Sequence, residues 1–102
     1  MEGRTIMHAI LTLFTLGPGT REIADKTGKQ MAPVLAGLKG FKSITLFGDY
    51  ETGEYGGVSL WETKEDAEAA IAAVRPKMEE AYRDMLKEPP TMRVFEVFEA
   101  GE

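Results

Sequence analysis

A single histidine, a single tryptophan and no cysteine bound the chemistry open to the 102 residues. Imidazole titrates near neutrality, which makes His8 the default general acid or base. Its place near the start of an apolar run allows a second reading, a residue at a surface or subunit rim. Ser59 stands two positions before Trp61, and in an extended segment that spacing puts both on one face. A serine nucleophile needs a base; His8 is the sole candidate, and no G-x-S-x-G elbow is present. Trp61 offers a flat apolar wall and one N–H donor, suited to an aromatic ligand, or else simply fills a core. A lone histidine without cysteine or carboxylates at ligand spacing argues against a bound metal. The glycine-rich stretches lack the G-x-G-x-x-G spacing and the P-loop lysine, so no nucleotide site is expected, and no cofactor. Lys39, Lys42, Glu51 and Glu54 read as solvated side chains.

Composition narrows the class. With 43% hydrophobic and 28% charged residues the chain is an ordinary globular domain, spanning 1–102 as one unit. Twelve basic against seventeen acidic side chains give a net charge of −5, and no basic block offsets it. Nucleic acid and anionic membrane are therefore not expected as partners. The absence of cysteine excludes disulfides and thiolate nucleophiles. Ile6–Leu16 is too short to span a bilayer and runs into Gly17-Pro18-Gly19 rather than a cleavage site, so a cytoplasmic protein is expected.

The elements that would position these side chains follow from periodicity. Ile6–Leu16 is rich in β-branched and aromatic residues and stops at two strong breakers, which makes a first strand. From Thr20 the period becomes helical, with Ile23, Ala24, Thr27, Met31, Val34, Leu35 and Leu38 on one face. Pro33 predicts a kink or break in that helix, and Gly40 suits a left-handed position beyond its end. Phe41–Tyr50 and Glu54–Glu62 form a hairpin around Glu51-Thr52-Gly53. Thr63 to Asp66 reads as a capping box for a second helix. Its apolar stripe is Ala67, Ala70, Ile71, Val74, Met78, Ala81, Tyr82 and Met85, with a second break at Pro76. Thr91–Glu99 is the last strand. The order β-α-β-β-α-β predicts an α+β ferredoxin-like plait, a four-stranded antiparallel sheet with both helices on one face.

The strands are apolar on both faces. Ile6, Ile10 and Phe14 oppose Met7, Leu11 and Leu13; Phe41 and Phe47 oppose Ile44 and Leu46; Trp61 opposes Val58 and Leu60; Val94 and Phe98 oppose Phe95 and Val97. Helices cover one face only, and an open antiparallel sheet alternates apolar with polar. The other face is therefore expected to meet a symmetry mate through Met7, Leu11, Leu13, Ile44, Leu46, Phe95 and Val97, giving a homodimer. A face half-covered by the chain's own termini is the alternative.

With these elements placed, the sequence resembles the antibiotic biosynthesis monooxygenase (ABM)-like family of the dimeric α/β-barrel superfamily. The likeness rests on Leu16-Gly17-Pro18-Gly19, on Pro33-Val34-Leu35 through Gly40-Phe41, and on Thr52-Gly53-Glu54-Tyr55. Ser59-Leu60-Trp61-Glu62-Thr63 with Asp66-Ala67 completes it. The resemblance implies plaits paired into a dimeric barrel, with a pocket between each sheet and its own helices. It implies that Trp61 lines that pocket. Thr12 falls where haem-degrading and quinone-forming members carry an asparagine, so a hydroxyl would replace an amide there. Haem-degrading members need a histidine on the second helix, and Ala67–Val74 holds none, which speaks against haem degradation. Taken with the strand and helix faces read above, the expected ligand site is Trp61, Thr12, Ser59, His8, Phe14, Met78 and Tyr82. The implied activity is cofactor-independent monooxygenation of an aromatic small molecule. The alternative is a non-enzymatic binding or interaction module of the same fold. An open cavity beside Trp61 would favour the first, and a cavity plugged by Phe14, Phe47 and Met78 the second.

Overall fold

The structure, a computed structural model, describes residues 6–98. Six elements follow in the order β1 (His8–Thr15), α1 (Arg21–Ala36), β2 (Phe41–Asp49), β3 (Glu54–Trp61), α2 (Lys64–Ala81) and β4 (Thr91–Glu96). They form a four-stranded antiparallel sheet in the order β2-β3-β1-β4, the arrangement of a ferredoxin-like plait. The expected last strand ends at Glu96, and its anticipated final residue, Glu99, lies outside the described residues.

Local chemistry accounts for the boundaries. Gly53 closes the hairpin with φ of 78°, and its missing side chain lets the turn press against Gly17. The Gly53 carbonyl accepts from the Leu16 amide at 2.8 Å, tying the hairpin to the end of β1. Thr63 caps α2, its hydroxyl accepting from the Asp66 amide at 3.0 Å. Arg75 on α2 donates to the Pro90 carbonyl at 3.0 Å and so fixes the start of β4.

Neither proline breaks its helix. Pro33 and Pro76 both lie inside continuous helices, so the break expected at Pro76 does not occur, and of the kink or break expected at Pro33 the break is excluded. A helical proline leaves unserved the carbonyl four residues earlier, here that of Lys29 or Ala72. Both of those residues are exposed, so water can take the place of the lost donor. Gly37, not Gly40, caps α1; Gly40 has φ of 84° but belongs to the turn into β2. Ala81, expected on the inward stripe of α2, is exposed, whereas Tyr82 beside it is 2% exposed.

A bulge decides the faces of the sheet. Phe41 pairs with Trp61, but Ser43 pairs with Leu60 and Ile44 with Ser59, so one residue of β2 is left over near Lys42. Because side chains alternate, the extra residue inverts every β2 position after it. Ile44 and Leu46 consequently share the helix-covered face with Ser59 and Gly57, and Phe47 turns outward. The expectation that Ile44 and Leu46 belong to the uncovered face is thereby corrected. That face carries Met7, Leu11, Leu13, Phe47, Val58, Phe95 and Val97. Phe47 is 44% exposed and Phe95 39%, so a broad apolar surface lies open in the single chain.

Candidate functional site

On the covered face the helices do not fill the space above the sheet. A cavity of about 270 Å³ remains between them, bounded by all four strands and both helices. A cavity of about 150 Å³ already holds benzene, so two or three fused rings fit here.

The floor is built by strand register. Gly57 stands level with Thr12 on one side and Leu46 on the other, and Ser59 level with Ile10 and Ile44. All six border the cavity. Thr27 and Met31 of α1 and Val74 and Met78 of α2 face them from above, with Tyr55 and Tyr82 at one end. Phe14 is a wall and not a plug: it stacks on Tyr82 with centroids 5.1 Å apart and leans on Tyr55 at 5.9 Å.

The polar groups inside are neutral hydroxyls, from Thr12, Thr27, Ser59, Tyr55 and Tyr82. Burial pushes the Tyr82 phenol above its ordinary range; the Thr27 side chain opposes that rise and Tyr55 adds slightly to it. Tyr82 is thus a protonated donor at neutral pH. The Tyr55 hydroxyl meets Thr20 Oγ1 at 3.0 Å, and Thr20 donates onward to the Gly17 carbonyl at 2.7 Å. Charge appears only at the mouth. There Tyr50 donates to Asp25 at 3.2 Å, and the Arg21 guanidinium lies 4.1 Å over the Tyr50 ring. Leu46, 52% exposed, leans across the opening between Gly28 and Gly57.

Of the residues singled out in the sequence, Thr12, Phe14, Ser59, Met78 and Tyr82 border the cavity, and Trp61 and His8 do not. Trp61 is fully buried behind the floor, edge-on to Phe41 with centroids 5.6 Å apart. Its indole N–H donates to Ser59 Oγ at 2.8 Å, so it touches the cavity only through that hydroxyl. His8 sits between Trp61 and Glu96 across the strands, its Nδ1 buried without a hydrogen-bond partner. No hydrogen bond joins it to Ser59, so no nucleophile–base pair forms among the described residues. Nor do three His, Asp or Glu side chains among them gather as a metal site. Sequence reasoning missed Leu46, Gly57, Gly28 and Tyr55. The adjacent glycines of β3 were the available signal, because glycine inside a strand marks a close approach or an opening for a ligand.

Comparison with solved structures places this geometry. A monooxygenase of Streptomyces coelicolor, in complex with nanaomycin D, superposes with a TM-score of 0.70 at 18% identity, covering 99% of this chain and 95% of its own. SnoaB, a cofactor-independent oxygenase of Streptomyces nogalater, gives 0.70 at 15% identity, over 95% and 97%. The chain has the ABM fold. A Nitrosomonas europaea protein classed with the antibiotic biosynthesis monooxygenases gives a TM-score of 0.75 at 11% identity over 95% of both chains. No protein-family model and no curated protein matches the chain by sequence. The ABM fold therefore shows in backbone geometry rather than in overall identity, as its sheet, helices and covered cavity would require. No described helix is long and apolar enough to cross a membrane.

Proposed function

We propose that this ABM-like chain is a cofactor-independent monooxygenase acting on a flat phenolic molecule held between sheet and helices. The observation that carries the reading is the cavity: about 270 Å³, apolar walls, hydroxyls on its floor and at one end, and charges confined to the mouth. An electron-rich phenolate can pass one electron to dioxygen; recombination forms a carbon–oxygen bond, and loss of water from the hydroperoxide leaves a quinone. Phenol plus dioxygen thus becomes quinone plus water, with no outside electron. The chain's contribution is to hold the ring, exclude water and offer donors to the oxygen that carries the charge. Two structural neighbours, SnoaB and the enzyme bound to nanaomycin D, support the reading by fold.

The same proposal makes the protein a homodimer through the uncovered sheet face, because monomers rarely leave so broad an apolar surface in water. We assign it to the cytoplasm on its cysteine-free composition.

The test is turnover of a hydroxylated anthrone under isotopically labelled dioxygen. One labelled atom should enter the product quinone and the other should leave as water. Tight binding without oxygen uptake would replace the enzyme with a binding module, and no binding would remove both readings.

A further inference from the structure

We infer that Ser59 is the donor that orients the ligand's oxygen, and that Trp61 is a positioning residue acting through it. This rests on the cavity being the ligand site. An indole nitrogen has one proton and no acceptor capacity, whereas a serine oxygen has one proton and two lone pairs. The Trp61 N–H, 2.8 Å from Ser59 Oγ, occupies one of those lone pairs and so turns the hydroxyl proton away from the indole. Trp61 itself cannot swing, being fully buried among Phe41, Ala67 and Ala70.

Ser59 is only 5% exposed and borders the cavity, yet among the described residues no acceptor takes its proton. A buried donor without an acceptor is unfavourable until something supplies one. Gly57, next along the same face, adds no side chain to the floor between Thr12 and Leu46, and only a δ-methyl of the exposed Leu46 side chain leans over it. A ring can lie flat there with an edge oxygen reaching Ser59. The site therefore selects aromatic ketones, quinones and phenolates, whose oxygen accepts, over hydrocarbons of the same shape.

Fluorenone and fluorene, matched in outline and differing by one carbonyl, test this directly. The wild-type protein should favour fluorenone by about tenfold beyond the difference in their transfer from water to hydrocarbon. The infrared carbonyl stretch of bound fluorenone should fall to a hydrogen-bonded frequency. Ser59→Ala should abolish both effects while holding fluorene within about twofold of wild type, and Ser59→Thr should restore them. Because Trp61 is the only tryptophan, biosynthetic replacement by benzothienylalanine removes the N–H at that site alone and keeps the bicyclic shape. The carbonyl line should then broaden and move back towards its unbonded frequency, with fluorene binding retained. An unchanged carbonyl line in Ser59→Ala would overturn the donor, and an unchanged line with benzothienylalanine the positioning role. If both probes bind but neither is preferred, the cavity reading stands and this inference fails. If neither binds, both fail.

Discussion

Ile44 of β2 stands directly across from Ser59 of β3, on the face that the helices cover. Its neighbours in sequence, Ser43 and Thr45, face the other way, as does Phe47. The covered and the uncovered face of the sheet thus draw on alternate residues of one strand. Sedimentation of the wild-type protein at micromolar concentration should show about twice 11.2 kDa. Leu13→Glu or Phe47→Glu should shift it to monomer, since a charge buried in an apolar contact costs several kcal/mol. Leu46→Ser should leave the dimer intact. A dimer lost with Leu46→Ser and kept with Phe47→Glu would reverse the assignment of faces.

Gly28 is the point where stability and access part company. It lies inside α1, where alanine is better than glycine by about 0.5–1 kcal/mol. A methyl group there would sit 3.3 Å from a Leu46 δ-carbon, close enough to push that exposed side chain across the mouth. Gly28→Ala should raise the melting temperature by a few degrees and slow the association of fluorenone in stopped flow. A faster association would show that Leu46 is displaced outward instead.

Trp61→Ala should remove about 3–5 kcal/mol of stability, the range for a large aromatic lost from a core. Chemical denaturation checks this. A loss below about 1 kcal/mol would mean that the indole is not a packing element.

Tyr82 sets an alkaline limit. Its phenol is raised in the folded chain, so the folded state holds its proton more tightly than the unfolded state does. The corresponding stability is fully present below the unfolded value, about pH 10, and is lost as pH rises through the higher folded value. Urea midpoints measured through that window should fall with pH, and Tyr82→Phe should flatten the slope. Tyrosinate absorbance appearing first from Tyr82 would contradict the direction.

Element order and topology were legible because each period change had a punctuating residue: Gly17-Pro18-Gly19, Gly40, Gly53 and Thr63 all sit at real boundaries. The inner face of β1 was legible too, since regular alternation placed Ile10, Thr12 and Phe14 together. The faces of β2 were not. One unpaired residue near Lys42 inverts the strand, and nothing in Phe-Lys-Ser-Ile marks a bulge as glycine would. The break expected at Pro76 does not occur because a proline's effect depends on what replaces the hydrogen bond it removes, which periodicity does not report. Trp61 was found as a residue but not as a position: period two gives its face, whereas its depth behind the floor depends on Phe41 and α2 packing over it.

The alternation across β1 has a bearing on how such chains vary. Leu11, Thr12 and Leu13 serve opposite sides of a single backbone, so a substitution edits one side at a time. Gain or loss of one residue within β1 would instead exchange the two sides along the rest of the strand. Length variation among related chains should therefore gather outside the strands, around Pro18, Thr52 and Glu88, where the pleat is already interrupted. The bulge in β2 is the exception among the described strands, a place where the alternation is already displaced by one residue.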